Sequence, residues 1–292
     1  MLIMKKKVLK FIIVMLAVYV LAAVVSVPIC TTSVRITEYS ETVAGLQEET
    51  KLVCISDLHG KEYGDKNEKL VSKIAEQIPD AIFVLGDMIN ADADESEIEQ
   101  FISLLERLED IAPVYFSPGN HEMDYMLDTG TELMSLVNET GAVALCDEYV
   151  ETEIGGNTLR IGGSLGHYHR YEWTDEQKQS PPDYAMEREI GSTEIPALVL
   201  LHMPESLVTD CAAEQWSGDV YFSGHTHGGV IRIPGIGGVF APTQGFFPKY
   251  DCGQFCVYGK DIIITSGLAG YSWVPRVFNR PEICVVTLTP EI

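Results

Sequence analysis

Five strand-like apolar runs, each closing on residues that can bind a cation or move a proton, set the tightest limit on how this chain folds. Lys51–Ser56 is followed by Asp57-Leu58-His59, Ala81–Leu85 by Gly86-Asp87, and Val114–Ser117 by Gly119-Asn120-His121-Glu122. Leu198–Leu201 closes on His202, and Val220–Ser223 on Gly224-His225-Thr226-His227. Open α/β sheets gather ligands beyond the carboxyl ends of their strands. Any one of these motifs is an ordinary turn, and a lone histidine at a strand end is usually just hydrogen-bonded. Their recurrence at five strand ends, with glycines that let backbone approach closely, describes a metal site.

The segments between the runs carry helical spacing. Leu70, Val71, Ile74 and Ile78 form a stripe over Asp65–Gln77; Ile98, Phe101, Ile102, Leu104, Leu105 and Leu108 form another over Asp94–Asp110. Ser96 with Glu99 reads as a capping box for the second, and a third helix is expected over residues 123–140. After residue 141 short strands with glycine-rich turns take over: Tyr149–Ile154, Leu159–Gly163, Ala197–His202, Gly229–Ile233, Gln254–Tyr258, Ile262–Thr265 and Ile283–Leu288, with a helix over Glu205–Glu214. This order predicts an α/β fold of two mixed β-sheets packed as a sandwich and flanked by helices. It occupies residues 51–292 as one catalytic domain, preceded by a polar stalk over 31–50.

The first 30 residues are a separate signal. Lys5, Lys6, Lys7 and Lys10 precede the apolar run Phe11–Cys30, which is long enough to cross a hydrocarbon core. Lysines on that side predict an N-terminus in the cytoplasm and a body on the extracytoplasmic side, held by one N-terminal transmembrane helix. Cleavage of the same segment as a signal peptide, near Leu21-Ala22-Ala23, is the alternative and gives a secreted body.

The net charge is −23, and the acidic residues all follow that lysine-flanked segment. So acidic a body excludes nucleic acid as a partner, because phosphate contacts need lysine and arginine. An anionic substrate requires something local to reverse the field. The strand-end donors mix carboxylate, imidazole and amide oxygen without thiolate, which suits Mn, Fe, Zn or similar divalent ions. Two carboxylates, one amide and four imidazoles are too many for one ion; two ions sharing a bridging carboxylate fit the count. Such pairs lie about 3.5–4 Å apart and clamp a phosphoryl centre. Of the seven cysteines, Cys54 and Cys284 sit in strand-like runs as core residues, Cys252 and Cys256 are a possible pair, and no CxxC is present.

The order DxH, GD, GNHE, H and GHTH resembles the calcineurin-like metallophosphoesterase superfamily over residues 51–290. Gly224–Pro234, Leu201-His202-Met203-Pro204-Glu205 and Phe278–Ile283 resemble its membrane-associated, YkuE-like and YaeI-like phosphodiesterase subgroup. The resemblance implies that Asp57, His59 and His227 hold one ion, that Asn120, His202 and His225 hold the other, and that Asp87 bridges. It implies a metal-bridging hydroxide as nucleophile, with His121 free to protonate the leaving oxygen and Glu122 orienting it. Two positions depart from the family pattern: Asn90 where GDxxD ends in aspartate, and Thr265-Ser266-Gly267 where the subgroup has an arginine. The function implied is hydrolysis of a phosphodiester or pyrophosphate bond, on a lipid or cell-envelope substrate. A phosphomonoesterase and a non-catalytic, metal-stabilised binding protein are the alternatives.

Two segments remain. Leu165–Ser192 holds His167, His169 and Arg170 and reads either as a surface loop or as a lid that touches substrate. Ile233–Tyr250, with Phe240, Phe246, Phe247 and Tyr250, reads either as core or as an aromatic rim that meets membrane or a lipid-linked substrate.

Overall fold

A computed structural model describes residues 2–166, 184–209, 211–271 and 274–291. The chain opens with a helix, α1 (Leu2–Thr32), whose stretch Leu9–Thr32 is long and apolar enough to cross a membrane. The first sheet is built from β1 (Arg35–Val43), β2 (Thr50–Ile55), β3 (Ala81–Val84), β4 (Val114–Phe116) and β5 (Val143–Ala144). The second takes β6 (Glu148–Ile154), β7 (Asn157–Ser164), β8 (Ala197–Leu201) and β9 (Val220–Ser223). Two short hairpins follow, β10 (Arg232–Ile233) with β11 (Gly237–Gly238) and β12 (Phe240–Ala241) with β13 (Gly245–Phe246). β14 (Gly253–Val257) and β15 (Lys260–Ile264) then extend the second sheet, and β16 (Glu282–Pro290) returns to the first. The strand orders are β1-β16-β2-β3-β4-β5 and β14-β15-β9-β8-β7-β6.

Both faces of the central strands are buried, which is why they read as unbroken apolar runs. In β2, Leu52 and Cys54 point between the sheets, where they meet Leu198, Leu200, Phe222 and Ile263 from the opposite sheet. Val53 and Ile55 point the other way, onto the stripes of α2 (Glu68–Ala75) and α3 (Glu95–Glu109). β8 alternates likewise: Leu198 and Leu200 face inward, while Ala197, Val199 and Leu201 pack outward with Trp216 and Tyr221. The result is the expected two-sheet sandwich with helices outside it.

Several boundaries differ from the sequence reading. Residues 35–43 are not a stalk. They form an edge strand paired in parallel with β16 from Arg35↔Glu282 to Val43↔Pro290, with Arg35 3.3 Å from the buried Glu282 carboxylate. An edge strand has one pairing neighbour and a wet face, so its Thr, Glu and Ser residues look like a tether in sequence. The cap of α3 is Asp94, whose side chain accepts from the Glu97 N–H at 2.9 Å, and not Ser96, which lies inside the helix. The helix expected over 123–140 is two, α4 (Asn120–Thr129) and α5 (Leu133–Glu139), because Gly130 ends the first in a left-handed conformation. Gly229–Ile233 is a 3₁₀ turn leading into two-residue β10. Cys252 and Cys256 are free thiols, while Cys54 and Cys284 are buried on facing positions of β2 and β16.

One buried amide ties the sheets together at the end away from the strand termini. Asn157 accepts from the Gln47 and Glu48 N–H groups at 2.6 and 3.0 Å, and donates to the Glu48 carbonyl and Thr50 Oγ1 at 2.9 and 2.8 Å. Asn157→Ala removes these four hydrogen bonds centred on a buried amide, two of them from the backbone N–H groups of the exposed Gln47 and Glu48, and is expected to cost about 1–2 kcal/mol. Urea unfolding should show a lower midpoint at unchanged slope.

Candidate metal centre

The carboxyl ends of β2, β3, β4, β8 and β9 meet at one edge of the sandwich, and every motif expected there converges on it. Three sets of donor atoms lie within 4.8 Å of one another: Asp57, His59 and His227; Asp87, His202 and His225; and His59, Asp87 and His121. Asp57, Asp87, His202, His225 and His227 are buried, and His59 and His121 are partly open.

To aim these side chains inward the chain must turn sharply within one or two residues of each strand. Asp57, His59, Asp87, His225 and His227 all adopt positive φ, between 47° and 65°. Non-glycine residues occupy this region at a cost of about 1–2 kcal/mol each, so neighbouring contacts must hold them. The Asp57 N–H donates to the Gly86 carbonyl at 3.0 Å, and the His59 N–H to the Asp87 carbonyl at 3.1 Å. Gly86 and Gly119 approach so closely that a Cβ on either would lie 2.3 Å from the Gly119 nitrogen or 2.2 Å from Asp87 Oδ1.

The Glu122 carboxylate locks two of the loops and does not face the cavity. It is fully buried; Oε2 accepts from the Asp87 and Gly119 N–H groups, both at 2.8 Å, and Oε1 from Met88 and Ile89 at 2.7 and 3.2 Å. Burial and the Asp87 charge push its pKa up against those bonds. Its place is in the frame. Asn90 also serves the frame: its amide donates to the His59 carbonyl at 3.2 Å and to Glu97 at 2.9 Å.

The donor atoms fit divalent cations. Asp57 Oδ2, His59 Nε2, Asn120 Oδ1, His202 Nε2 and His225 Nε2 are buried without a hydrogen-bond partner. Orphaned polar atoms are costly unless something satisfies them, and Asp57, His59, His202 and His225 belong to the clustered donor sets, with Asn120 next in sequence to His121. The His202 ring is turned the same way: its Nδ1 donates to the Leu85 carbonyl at 2.7 Å, which leaves Nε2 toward the centre. Although burial lowers this imidazole's pKa, the Asp87 charge carries it up to about 10, so a cation bound there displaces a proton. Burial drives His225 down to about 3 and His227 down to about 4, so both are neutral and able to ligate. Burial opposes ionisation of Asp57 and Asp87, but the surrounding imidazoles hold both carboxyls below the usual range. Asp87 Oδ2 stands 3.1 Å from His202 Nε2 and 3.9 Å from His59 Nε2.

His121 is oriented differently. Its Nδ1 accepts the Ala91 N–H at 3.0 Å, which assigns the ring proton to Nε2. The ring stands edge-on to His59, 4.6 Å away, and both line an open cavity of about 870 Å³. Lys61 and Arg276 also line it, placing cationic side chains beside the centre of an acidic protein. Sequence reasoning missed Arg276, which carries no motif of its own. Buried, it donates to the Ser266 and Ala269 carbonyls, and the Ala269 N–H in turn bonds the Asp57 carbonyl at 2.6 Å. His167, His169 and Arg170 lie outside the described residues.

Residues 50–229 match the profile of the calcineurin-like phosphoesterase family. The chain is 28% identical to the phosphodiesterase YaeI of Escherichia coli, over 82% of each chain. It is 26% identical to an uncharacterised metallophosphoesterase of Bacillus subtilis, YkuE, over 82% of this chain and 78% of that one. A transmembrane protein with a metallophosphoesterase domain from Danio rerio is 25% identical over 82% of this chain and 53% of its own length. Other curated relatives, from Campylobacter jejuni and Helicobacter pylori, are matched over 61% of theirs.

Glu122→Gln puts an amide NH2 against two backbone N–H donors. It is expected to lower stability by about 2–3 kcal/mol and to weaken divalent-ion binding, read by thermal unfolding with and without added Mn²⁺ and by elemental analysis.

Proposed function

The chain belongs to the calcineurin-like phosphoesterase family, a family of metal-dependent phosphoester hydrolases, and on that footing we propose that it cleaves a phosphodiester or pyrophosphate bond with two divalent ions. The observation that carries the reading is the clustering of Asp57, His59, His202 and His225, each with a buried donor atom lacking a hydrogen-bond partner, beside a histidine whose Nε2–H is free for an open cavity. In this reading Asp57, His59 and His227 hold one ion, Asn120, His202 and His225 hold the other, and Asp87 is shared. Bound divalent ions supply Lewis-acid charge for the phosphoryl oxygens and lower the pKa of water between them.

The chain's own residues do the rest. Strand-end turns fix the ligand directions before substrate arrives, and Glu122 and Arg276 hold those turns. The Asp87 carboxylate accepts the His121 N–H at 2.9 Å through Oδ1, which fixes the start of α4 against the shared ligand. The His121 ring, with Nδ1 occupied by the Ala91 N–H, presents Nε2–H to the cavity and hydrogen-bonds the leaving oxygen as negative charge develops on it. Lys61 and Arg276 add positive potential on the wall, which favours an anion where the net charge of −23 does not. Cys30 and Thr31, at the end of α1, form part of the same wall, which supports a substrate carried on a lipid or cell-envelope precursor. The lysines before Phe11 support a body on the extracytoplasmic side.

Purified full-length protein is expected to hydrolyse bis-p-nitrophenyl phosphate faster than p-nitrophenyl phosphate once Mn²⁺ is supplied. His121→Ala should lower kcat by about 10²–10⁴ with metal content unchanged, whereas His225→Ala should lose metal. Full turnover by His121→Ala would overturn the role given to His121 at the leaving oxygen, and preference for the monoester would overturn the diesterase reading.

A further inference from the structure

The catalytic domain does not hang from α1 by a linker; it is seated along the helix side. Tyr19, Ala23, Ser26, Val27 and Cys30 form one stripe on α1, with Ser26 and Cys30 buried and Ala23 and Val27 partly so. The Phe278 ring lies 5.6 Å from the Tyr19 ring, and the Phe278 N–H donates to Ser26 Oγ at 3.1 Å. Lys61 Nζ donates to the Thr31 carbonyl at 2.6 Å, and Arg280 to the Ser33 carbonyl and hydroxyl at 3.1 and 2.8 Å. β1 begins at Arg35, so only Ser33 and Val34 separate helix from sheet.

This seating has a consequence for depth. At 1.5 Å per residue, a hydrocarbon core of about 30 Å takes about 20 residues. Lys10 marks one boundary, so the core must extend from Phe11 to near Cys30. Fewer than half of those residues precede Tyr19. The turns that carry the domain are therefore the turns that must lie at membrane depth, and Phe278 lies there with them.

Next to Phe278 the chain offers a surface made for that environment. Residues 233–248 contain no charged side chain in a protein where 22% of residues are charged. Arg232 N–H bonds the Val277 carbonyl at 2.9 Å, and Ile236 shares a cleft of about 420 Å³ with Phe278. Ile236, Phe246 and Phe247 are 69%, 74% and 61% exposed, although Val239 joins both hairpins to the rest of the domain through the Ile231 and Phe247 backbone. Large apolar side chains left in solvent on an uncharged segment mark an interaction surface, and aromatic residues favour the headgroup boundary of a bilayer.

We propose that Ile236, Phe246, Phe247 and Phe278 form a foot that enters the same leaflet from which α1 emerges, so that the domain is docked on the bilayer at two places. The occupant of this surface is phospholipid. The proposal rests on α1 spanning the membrane and not on the reaction the centre performs. The foot carries no ligand of the metal centre, and its insertion sets the cavity lined by Cys30, Thr31, His59 and His121 at the membrane surface.

The test replaces Ile236, Phe246 and Phe247 singly with p-benzoyl-phenylalanine in the full-length chain, reconstituted in phosphatidylcholine nanodiscs. Val14 within the helix is the positive control. Ile78, 80% exposed just before β3, is the negative one, because it lies at the opposite end of the sheet from the strand termini. After irradiation, intact mass reads covalent lipid adducts, a readout independent of turnover. Adducts at the three foot positions at least about tenfold above Ile78 are expected of side chains buried at the interface. Yields at the Ile78 level, with Val14 labelled, would overturn the foot while leaving the span; absence of adducts at Val14 would overturn both. Single replacements keep the test decisive if one variant fails to fold, since the other two positions report the same contact.

Discussion

Five side chains that carry charge or ligand capacity are held on left-handed backbone at the strand ends, and the rest of the molecule is arranged to keep them there. A strand that simply ended would let the chain relax into a common turn, with its aspartate or histidine directed at water. Here the polypeptide reverses within two residues of Ser56, Leu85 and Ser223, at Asp57, Asp87 and His225, each at positive φ. That conformation is sustained by bonds among the loops themselves, such as Asp57 to Gly86 and His59 to Asp87, and by carboxylates placed behind them. Glu122 accepts four backbone N–H groups and Glu282 accepts the Ser266 N–H at 2.7 Å. These buried acids have no chemistry to perform on a substrate. They convert local strain into a fixed set of directions, which is what preorganisation requires.

The electrostatics follow from that frame. Two carboxyls and three imidazoles are taken out of water at one edge of the sandwich, inside a protein of net charge −23. Isolated buried carboxylates would gain protons. Instead the His202 imidazole, carried up to about 10 by the Asp87 charge in spite of burial, helps hold Asp57 and Asp87 ionised, while burial keeps His225 and His227 neutral. Anionic oxygens beside neutral nitrogen lone pairs are the donor set a divalent cation requires, and the partnerless state of His225 Nε2 and Asn120 Oδ1 is the cost of forming it in advance. A cation at this edge also solves the substrate problem, because a phosphate has little reason to approach so acidic a protein except at a local reversal of sign.

Most of the central sheet and all of the proposed ligands were legible in the sequence, because their signals are local: a short apolar run, then glycine, then a donor. What was not legible depends on partners remote in the chain. β1 reads as a stalk because its partner, β16, lies some 250 residues away and its other edge is solvent. Glu122 reads as part of a catalytic motif because it adjoins His121, yet one helical residue of separation sends its carboxylate behind the loops instead of into the cavity. Arg276 reads as nothing in particular, and its importance comes from two carbonyls that only the fold brings to it. The cap of α3 was misread for a different reason: Asp94 and Ser96 are both good caps, and the choice between them is made where β3's loop delivers the chain.

The apolar helix α1 and the candidate metal centre meet in a short run of contacts, and this bears on what a membrane-spanning α1 would do for the site. A polar stalk would decouple the two, leaving the cavity to sample all orientations over the bilayer. With residues 35–43 in the sheet and Lys61 bonded to the last turn of α1, the same side chain that lines the cavity also fixes the helix. Thr31 then stands both at the end of the apolar helix and on the wall that holds His59 and His121. A phosphoester held at the membrane surface gains orientation, because its depth and the depth of the donors are set by one continuous piece of structure, so the search for an attack geometry is reduced before binding begins.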